Sequence, residues 1–317
     1  MRILCLVKND ENRCASTSWY LRRELAKIED VVFYGPGYGN FPILKGWDVP
    51  TAIKRVLVDR SPDVILIDHY WEVAHRWKNL HRVSVPKALI ISDPHEEPSR
   101  KVDYIKQNNI DLALFITRFS IDKFKDIGLS AIGCSCAWLP WSVDTSVFKD
   151  YGLSRIHDVS FLGMVNRYYP LRQKILKVLP KTKDIRFYTR KHPGDWNLKP
   201  ERDLFRESYA RILAQSKIFI FDSSILNYPV AKYVEGMACK TLVMAPMPLD
   251  GEYLHFKPGF NFVEVNEDNF LENIRYYLSH EDERLRIAER GWETVNKYHT
   301  VQIRARQLVR YLRGIAT

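Results

Sequence analysis

The 317-residue sequence contains no apolar run near the roughly 20 residues that a membrane-spanning helix requires, which argues against a chain that crosses a bilayer. Only five cysteines are present, Cys5, Cys14, Cys134, Cys136 and Cys239. Their number is odd and their spacing fits neither a disulfide framework nor a zinc site. Cys134-Ser-Cys136 reads instead as an alternating strand. There is no D-x-D string and no His/Asp cluster of the kind a hard divalent cation takes, so no metal is implied. Internal repeats and low-complexity tracts are absent, which excludes solenoids and disordered linkers. The apolar stretch from Met1 to Val7 is too short for a signal peptide. Together these absences predict a soluble, cytoplasmic protein.

What is present is ordinary globular composition, 46% hydrophobic and 27% charged, at a length that suits two domains. The net charge of +10 favours an anionic partner. Nucleotide-sugars, phospholipid surfaces and nucleic acids all qualify, and peripheral contact with a membrane is compatible with it.

Short apolar runs alternate with helical stretches along the whole chain, the period of a parallel α/β sheet. The predicted strands of the first half are Arg2–Val7, Val31–Tyr34, Asp63–Asp68, Lys87–Ser92, Asp111–Thr117 and Ala131–Ala137. Helices are expected near 17–28, 51–59 and 120–127. The second half gives strands at His157–Phe161, Ile185–Thr189, Lys217–Phe221, Thr241–Ala245 and Phe262–Val265. Helices are expected from Arg172 to Leu179, from Tyr209 to Ser216, from Pro229 onwards, and over 268–278, 281–297 and 301–312. Gly35-Pro-Gly-Tyr-Gly39 mimics a dinucleotide-binding string, but Pro36 sits inside it and no helix opens at its third glycine, so a surface turn is the better account. In open α/β sheets ligands bind beyond the C-terminal strand ends. His69, Asp93 and His95 fall there in the first half. Arg190-Lys-His192 and Leu249-Asp-Gly-Glu252 fall there in the second.

The central stretch is Asp222 to Ala245, read as loop, helix and strand. Glu235 and Lys232 occupy neighbouring positions on one helix face. Glu235-Gly-Met-Ala-Cys-Lys-Thr-Leu-Val resembles the "E-A-x-A-C-G-x-P-V" segment of GT-B glycosyltransferases, with the nearest likeness to family 4 and the spore-maturation (CgeB-type) group. Pro140, Val143, Asp144 and Phe148 match the "P-x-G-V-D-x-x-x-F" segment that ends the first domain of that family. The strand His157–Phe161 with Gly163 resembles its "F-x-G" strand and loop, followed by basic residues. The tail from Ala288 to Leu312 is also similar. The sequence departs from the family pattern at several positions, and Ser142 stands where the first-domain segment has its Gly. Asn227 stands where a second Glu contacts the donor sugar, Lys240 where a Gly ends the helix, and Met164 where an Arg follows the Gly.

The resemblance implies a GT-B fold: two Rossmann-like α/β domains facing a cleft, with the C-terminal helix crossing back to the N-terminal domain. The boundaries it suggests are 1–150, 151–300 and 301–317, with the linker at roughly 145–156. It implies a hexosyltransferase-like enzyme that moves a sugar from a nucleoside diphosphate sugar to an acceptor hydroxyl, with retention and without a metal or other cofactor. Glu235 would accept hydrogen bonds from the ribose hydroxyls. Gly163, Arg167 and Arg172 would hold the diphosphate, with Tyr188, Arg190, Asn227, Lys232 and Tyr233 completing the donor site. Arg172 has a second reading as a solvated helix residue; Arg304, Arg306, Arg310 and Arg313 line the last helix, where a solvated face is expected rather than an anion site. His95 is the candidate acceptor-side base, oriented or replaced by Asp93. The acceptor is open: a glycan, a lipid-linked glycan, a small molecule or a modified base in DNA. A sugar-nucleotide-binding protein with a degenerate site is the non-enzymatic alternative.

Overall fold

The structure is a computed structural model that describes residues 1–11, 17–42, 46–57, 59–68, 74–192 and 203–316. His69 lies outside the described residues. The chain forms two compact units. The first contains Met1–Glu11, Leu21–Pro140 and Arg304–Thr317, and the second Asn12–Tyr20 and Trp141–Ile303.

The first unit is built on six parallel strands: β1 (Arg2–Leu6), β2 (Asp30–Tyr34), β3 (Val64–Ile67), β4 (Lys87–Ile91), β5 (Leu112–Phe115) and β6 (Ser135–Trp138). Their order in the sheet is β2-β1-β3-β4-β5-β6. Successive side chains leave a strand on opposite faces, and here both faces are covered. Leu4, Ile65, Leu89 and Ala113 enter one buried cluster. Ile3, Leu66, Ala88 and Leu114 enter the other. That two-sided burial explains the near-continuous apolar runs of the sequence.

The helices of this half are α1 (Thr17–Ile28), α2 (Val49–Val56), α3 (Pro98–Gln107) and α4 (Phe119–Asp126). Asp48 caps α2 by accepting a hydrogen bond from Thr51 N at 3.0 Å, with Pro50 in the first turn, so the helix starts earlier than its apolar pattern suggests. The sequence reading passed over α3 and placed β6 four residues early. A turn of 3-10 helix at Leu129–Ile132 and the left-handed Gly133 occupy the expected start of β6. Gly35 and Gly37 form a turn with positive φ, and no helix opens at Gly39. A Cβ on Gly35 would fall 1.9 Å from Val7 O, so only glycine lets β2 turn back against the end of β1.

The second unit contains β7 (His157–Leu162), β8 (Phe187–Arg190), β9 (Ser216–Ile220), β10 (Leu242–Ala245) and β11 (Val263–Glu264). All pair in parallel, in the order β11-β10-β9-β7-β8. Its helices are α5 (Pro170–Val178), α6 (Glu207–Ala214), α7 (Lys232–Ala238), α8 (Phe270–Ser279) and α9 (Glu281–Tyr298). The final helix, α10 (Val301–Arg313), contributes Ala305, Leu308, Val309 and Leu312 to the core of the first unit. Arg304 of α10 is buried and donates to Gln307, so the expectation of a solvated face fails there. Among the described residues no helix is long and apolar enough to cross a membrane.

Candidate active site

The site begins with strand order. From β7 the chain moves to β8 on one side of it, and then to β9 on the other. The loops that leave β7 and β9 therefore diverge from adjacent C-terminal strand ends, the crevice where doubly wound sheets bind ligands. Two contacts tie the loops together. Ile225 N donates to Tyr168 O at 2.9 Å. Arg172, at the start of α5, reaches from the first loop to the second and donates to Asp222 O at 2.6 Å.

Arg172 corrects the sequence reading in both its forms, since it is neither solvated nor available to a ligand. Its side chain is 3% exposed, and its Nε lies 2.9 Å from Asp222 Oδ1. Nη1 donates to Met164 O at 2.9 Å, and the guanidinium stacks 3.6 Å from the Tyr169 ring centre. Nη1 and Nη2 are thus held by backbone carbonyls, while Nε meets Asp222 as an ion pair without a hydrogen bond. Desolvation lowers its pKa and raises that of Asp222, and the two charges hold each other against that cost. Arg172 is thus a brace for the two loops.

Glu235, Tyr209 and Lys232, all half-buried, form the counterpart of this brace. Glu235 is half-buried on α7 and accepts a hydrogen bond from Tyr209 Oη at 3.1 Å. Desolvation raises the Glu235 pKa, while the Lys232 charge and the Tyr209 hydroxyl pull it back. Lys232 Nζ lies 5.6 Å from the Tyr209 ring centre. A Cβ built on Gly163 would sit 3.1 Å from Lys232 Cε and 3.3 Å from Arg172 Nη1, so glycine is what admits the lysine to the end of β7. The cluster brings together three residues singled out from sequence, Gly163, Lys232 and Glu235. Beneath it, a Cβ on Gly236 would fall 2.7 Å from Val243 Cγ2 and 2.9 Å from Phe219 Cδ1. The pair Glu235-Gly236 therefore turns a carboxylate outward where the helix touches the sheet.

The remaining candidates divide. Arg167 is exposed, with Nη2 donating to Tyr168 Oη at 2.8 Å, and Arg190 is exposed at the C-terminal end of β8. Asn227 adopts a left-handed conformation, φ 51°. Its Nδ2 donates to Met247 O at 2.6 Å and its Oδ1 accepts from Ser223 Oγ at 2.6 Å, so both ends of the amide fasten loops. Tyr233 leaves the donor set: it is 0% exposed, its hydroxyl donates to Pro246 O at 2.5 Å, and its ring stacks 5.3 Å from Phe256. Two positions before Glu235 on a helix, it faces the core rather than the crevice. Tyr188 also leaves the set. Its ring lies 4.5 Å from that of His157, at the opposite end of β7 from Gly163. Lys240 is left-handed, φ 51°, as the glycine of the resembling motif would be, and its Nζ is held 2.8 Å from Glu289.

In the first unit, Asp93 is exposed and accepts from Ser92 Oγ at 3.2 Å, and His95 is half-buried in the same turn. The turn is fastened by Lys101, fully buried, which donates to Asp93 O and to Glu96 O. Among the described residues no group of three or more His, Cys, Asp or Glu side chains is placed to hold a metal.

Two site residues had no sequence signal. Tyr209 meets Glu235 from a helix 26 residues away, and Asp222 meets Arg172 across 50 residues.

Comparison with known proteins gives the architecture its name. Solved structures match the chain over nearly its full length. Anabaena Alr3699/HepE in complex with UDP-glucose matches at TM-score 0.68 and 12% identity, covering 99% of this chain and 100% of that one. A glycosyltransferase from Rickettsia africae ESF-5 matches at TM-score 0.68 and 14% identity, covering 99% and 98%. Sucrose-phosphate synthase from Thermosynechococcus elongatus matches at TM-score 0.65 and 12% identity, also covering 99% and 98%. The fold is that of the GT-B glycosyltransferases. Residues 172–310, which include Tyr209, Lys232 and Glu235 but not Gly163, match the family described as glycosyl transferase-like. No curated protein matches the chain in sequence.

Proposed function

We propose that the chain is a glycosyltransferase that moves a sugar from a nucleoside diphosphate sugar to an acceptor hydroxyl, with retention and without a metal. The observation that carries this reading is Glu235, a half-buried carboxylate hydrogen-bonded to Tyr209 and set beside Lys232 and Gly163 at the switch point of the second sheet. A carboxylate there can accept both hydroxyls of a ribose. The diphosphate then lies toward Gly163, where backbone approach is close. Its leaving charge grows as the glycosidic bond breaks, and Lys232, with Arg167 and Arg190, supplies the opposing cations. Arg172 acts behind them by fixing the loops. His95 is the proposed acceptor-side base, with Asp93 in the same turn.

The Anabaena protein was crystallised with UDP and with UDP-glucose, which makes uridine nucleotides the first donors to test. Calorimetric titration with UDP, GDP and ADP should find one nucleotide that binds the wild type and binds Glu235→Gln at least tenfold more weakly. Equal affinity in both proteins for every nucleotide bound would refute the donor site. A catalytically idle nucleotide-sugar binder is the second reading, favoured by Asn227, whose amide is spent on loop contacts where the family has a sugar-binding Glu. Donor hydrolysis or transfer in a single turnover separates the two.

A further inference from the structure

We propose that the β8 side of the second sheet is a docking strip for single-stranded nucleic acid. β8 is an edge strand of that sheet. From Lys174 to Lys191 the sequence has seven Lys or Arg residues and one Asp, so this short stretch carries +6 of the chain's net +10. Lys177, Lys181, Lys183, Arg186 and Arg190 are exposed. The carboxylates beside them are already matched. Asp158 lies 2.8 Å from Arg186 and 2.9 Å from Lys217, and Asp184 lies 3.2 Å from Arg275. Lys177, Lys181 and Lys183 form no ion pair among the described residues, so their charge is left for a partner.

Beside these lysines is an open hollow of about 420 Å³, lined by Leu179, Ile185, Phe187 and Tyr188 and bordered by Lys183. Tyr188 packs against His157 with an interplanar angle of 37°. Proteins that bind single strands combine a cationic track for phosphates with aromatic faces for bases, and both are present here within one edge. A lipid surface is a poorer match, because none of the large exposed apolar side chains lies between Lys174 and Lys191. The strip can be tested apart from the donor reading: Lys177, Lys181, Lys183 and Tyr188, the residues varied below, are separate from Glu235, Lys232, Gly163, Arg167 and Arg190.

The test is fluorescence anisotropy of a labelled 20-nucleotide oligothymidine over a salt series. Wild type is compared with the Lys177→Gln/Lys181→Gln/Lys183→Gln triple variant and with Tyr188→Leu. Single-strand binding loses about 0.7 in the log–log salt slope per phosphate contact removed. The triple variant should therefore lower the slope by about 2, with an unchanged thermal midpoint because the three lysines are exposed. Tyr188→Leu should weaken binding on the order of tenfold through lost stacking. Absence of oligonucleotide binding at low salt, or a triple variant that keeps the wild-type slope, overturns the proposal. So does lysine-dependent co-sedimentation with phosphatidylglycerol vesicles in a protein that ignores the oligonucleotide. UDP titration of the same samples reports on the donor site independently.

Discussion

A carboxylate accepts from both hydroxyls of a cis-diol most strongly when it is ionised, and Glu235 sits where ionisation is opposed. Desolvation raises its pKa, against the pull of Lys232 and Tyr209. The sign follows directly: nucleotide affinity is full well above that raised pKa and falls as pH drops through it, at a higher pH than for an ordinary Glu. Calorimetry over a series of falling pH should register this fall in the wild type. Glu235→Gln, which cannot titrate, should bind weakly at every pH with a flat profile; a sloping profile in the variant would place the titration elsewhere. The arginines separate by burial. Arg172→Ala strands the buried Asp222 carboxylate and should cost about 3–5 kcal/mol of stability, read as a lowered urea midpoint. Lys232→Ala and Arg167→Ala should leave stability nearly intact and lower kcat more than they raise the donor KM. The loss for one such contact is about 2–4 kcal/mol of transition-state stabilisation. If either variant keeps wild-type turnover, that residue does not meet the leaving group. Glu235 and Gly163 were legible in the sequence because each belongs to a short contiguous motif. Arg172's fate was not, because its partner Asp222 is fixed by the pairing of β7 with β9 rather than by any local pattern.

Strand starts carry a recurrent device at the level of elements. Asp63 accepts from Arg2 N at 2.7 Å, Asp111 from Lys87 N at 2.8 Å and Asp158 from Arg186 N at 3.0 Å. Each carboxylate takes up an N–H at the start of the neighbouring strand, a group that would otherwise lack a partner. Asp158 also meets the side chains of Arg186 and Lys217, and these contacts hold its pKa well below the usual carboxylate range. A depressed folded pKa gives stability that is present above the unfolded value of about 3.9 and is lost as pH falls through the folded one. Asp158→Asn should therefore cost about 1–2 kcal/mol at pH 7, discounted because Arg186 is well exposed. The gap to wild type in urea midpoint should narrow steadily as pH falls below 4; a gap at pH 2 as large as at pH 7 would mean a packing defect. The alternation of elements was legible because parallel strands buried on both faces leave uninterrupted apolar runs. α3 was hidden by composition: Lys101 is charged yet buried in it beside Val102 and Ile105, and Pro98 stands at the helix start.

At the scale of the whole molecule the chain leaves the first unit after Pro140 and returns to it at Arg304. The return is made by α10, whose apolar positions Ala305, Leu308, Val309 and Leu312 complete one face of the β1-β3 core. A helix so distant in sequence joins that core only after the second unit has been synthesised. Its periodicity was readable, but its destination was not, since an apolar stripe says that a helix packs and not where. Leu308 is 0% exposed and shares its cluster with Ile3, Leu66 and Leu114. Leu308→Ala removes three buried carbons and should cost about 2–5 kcal/mol. Two units with separate cores need not unfold as one. The loss should therefore concentrate in the first unit. Amide hydrogen exchange should quicken in β1, β3 and β5 while β9 and β10 keep their protection. Equal loss of protection in β9 and β10 would mean that the units unfold together, and that α10 stabilises the chain as a whole rather than the sheet it covers.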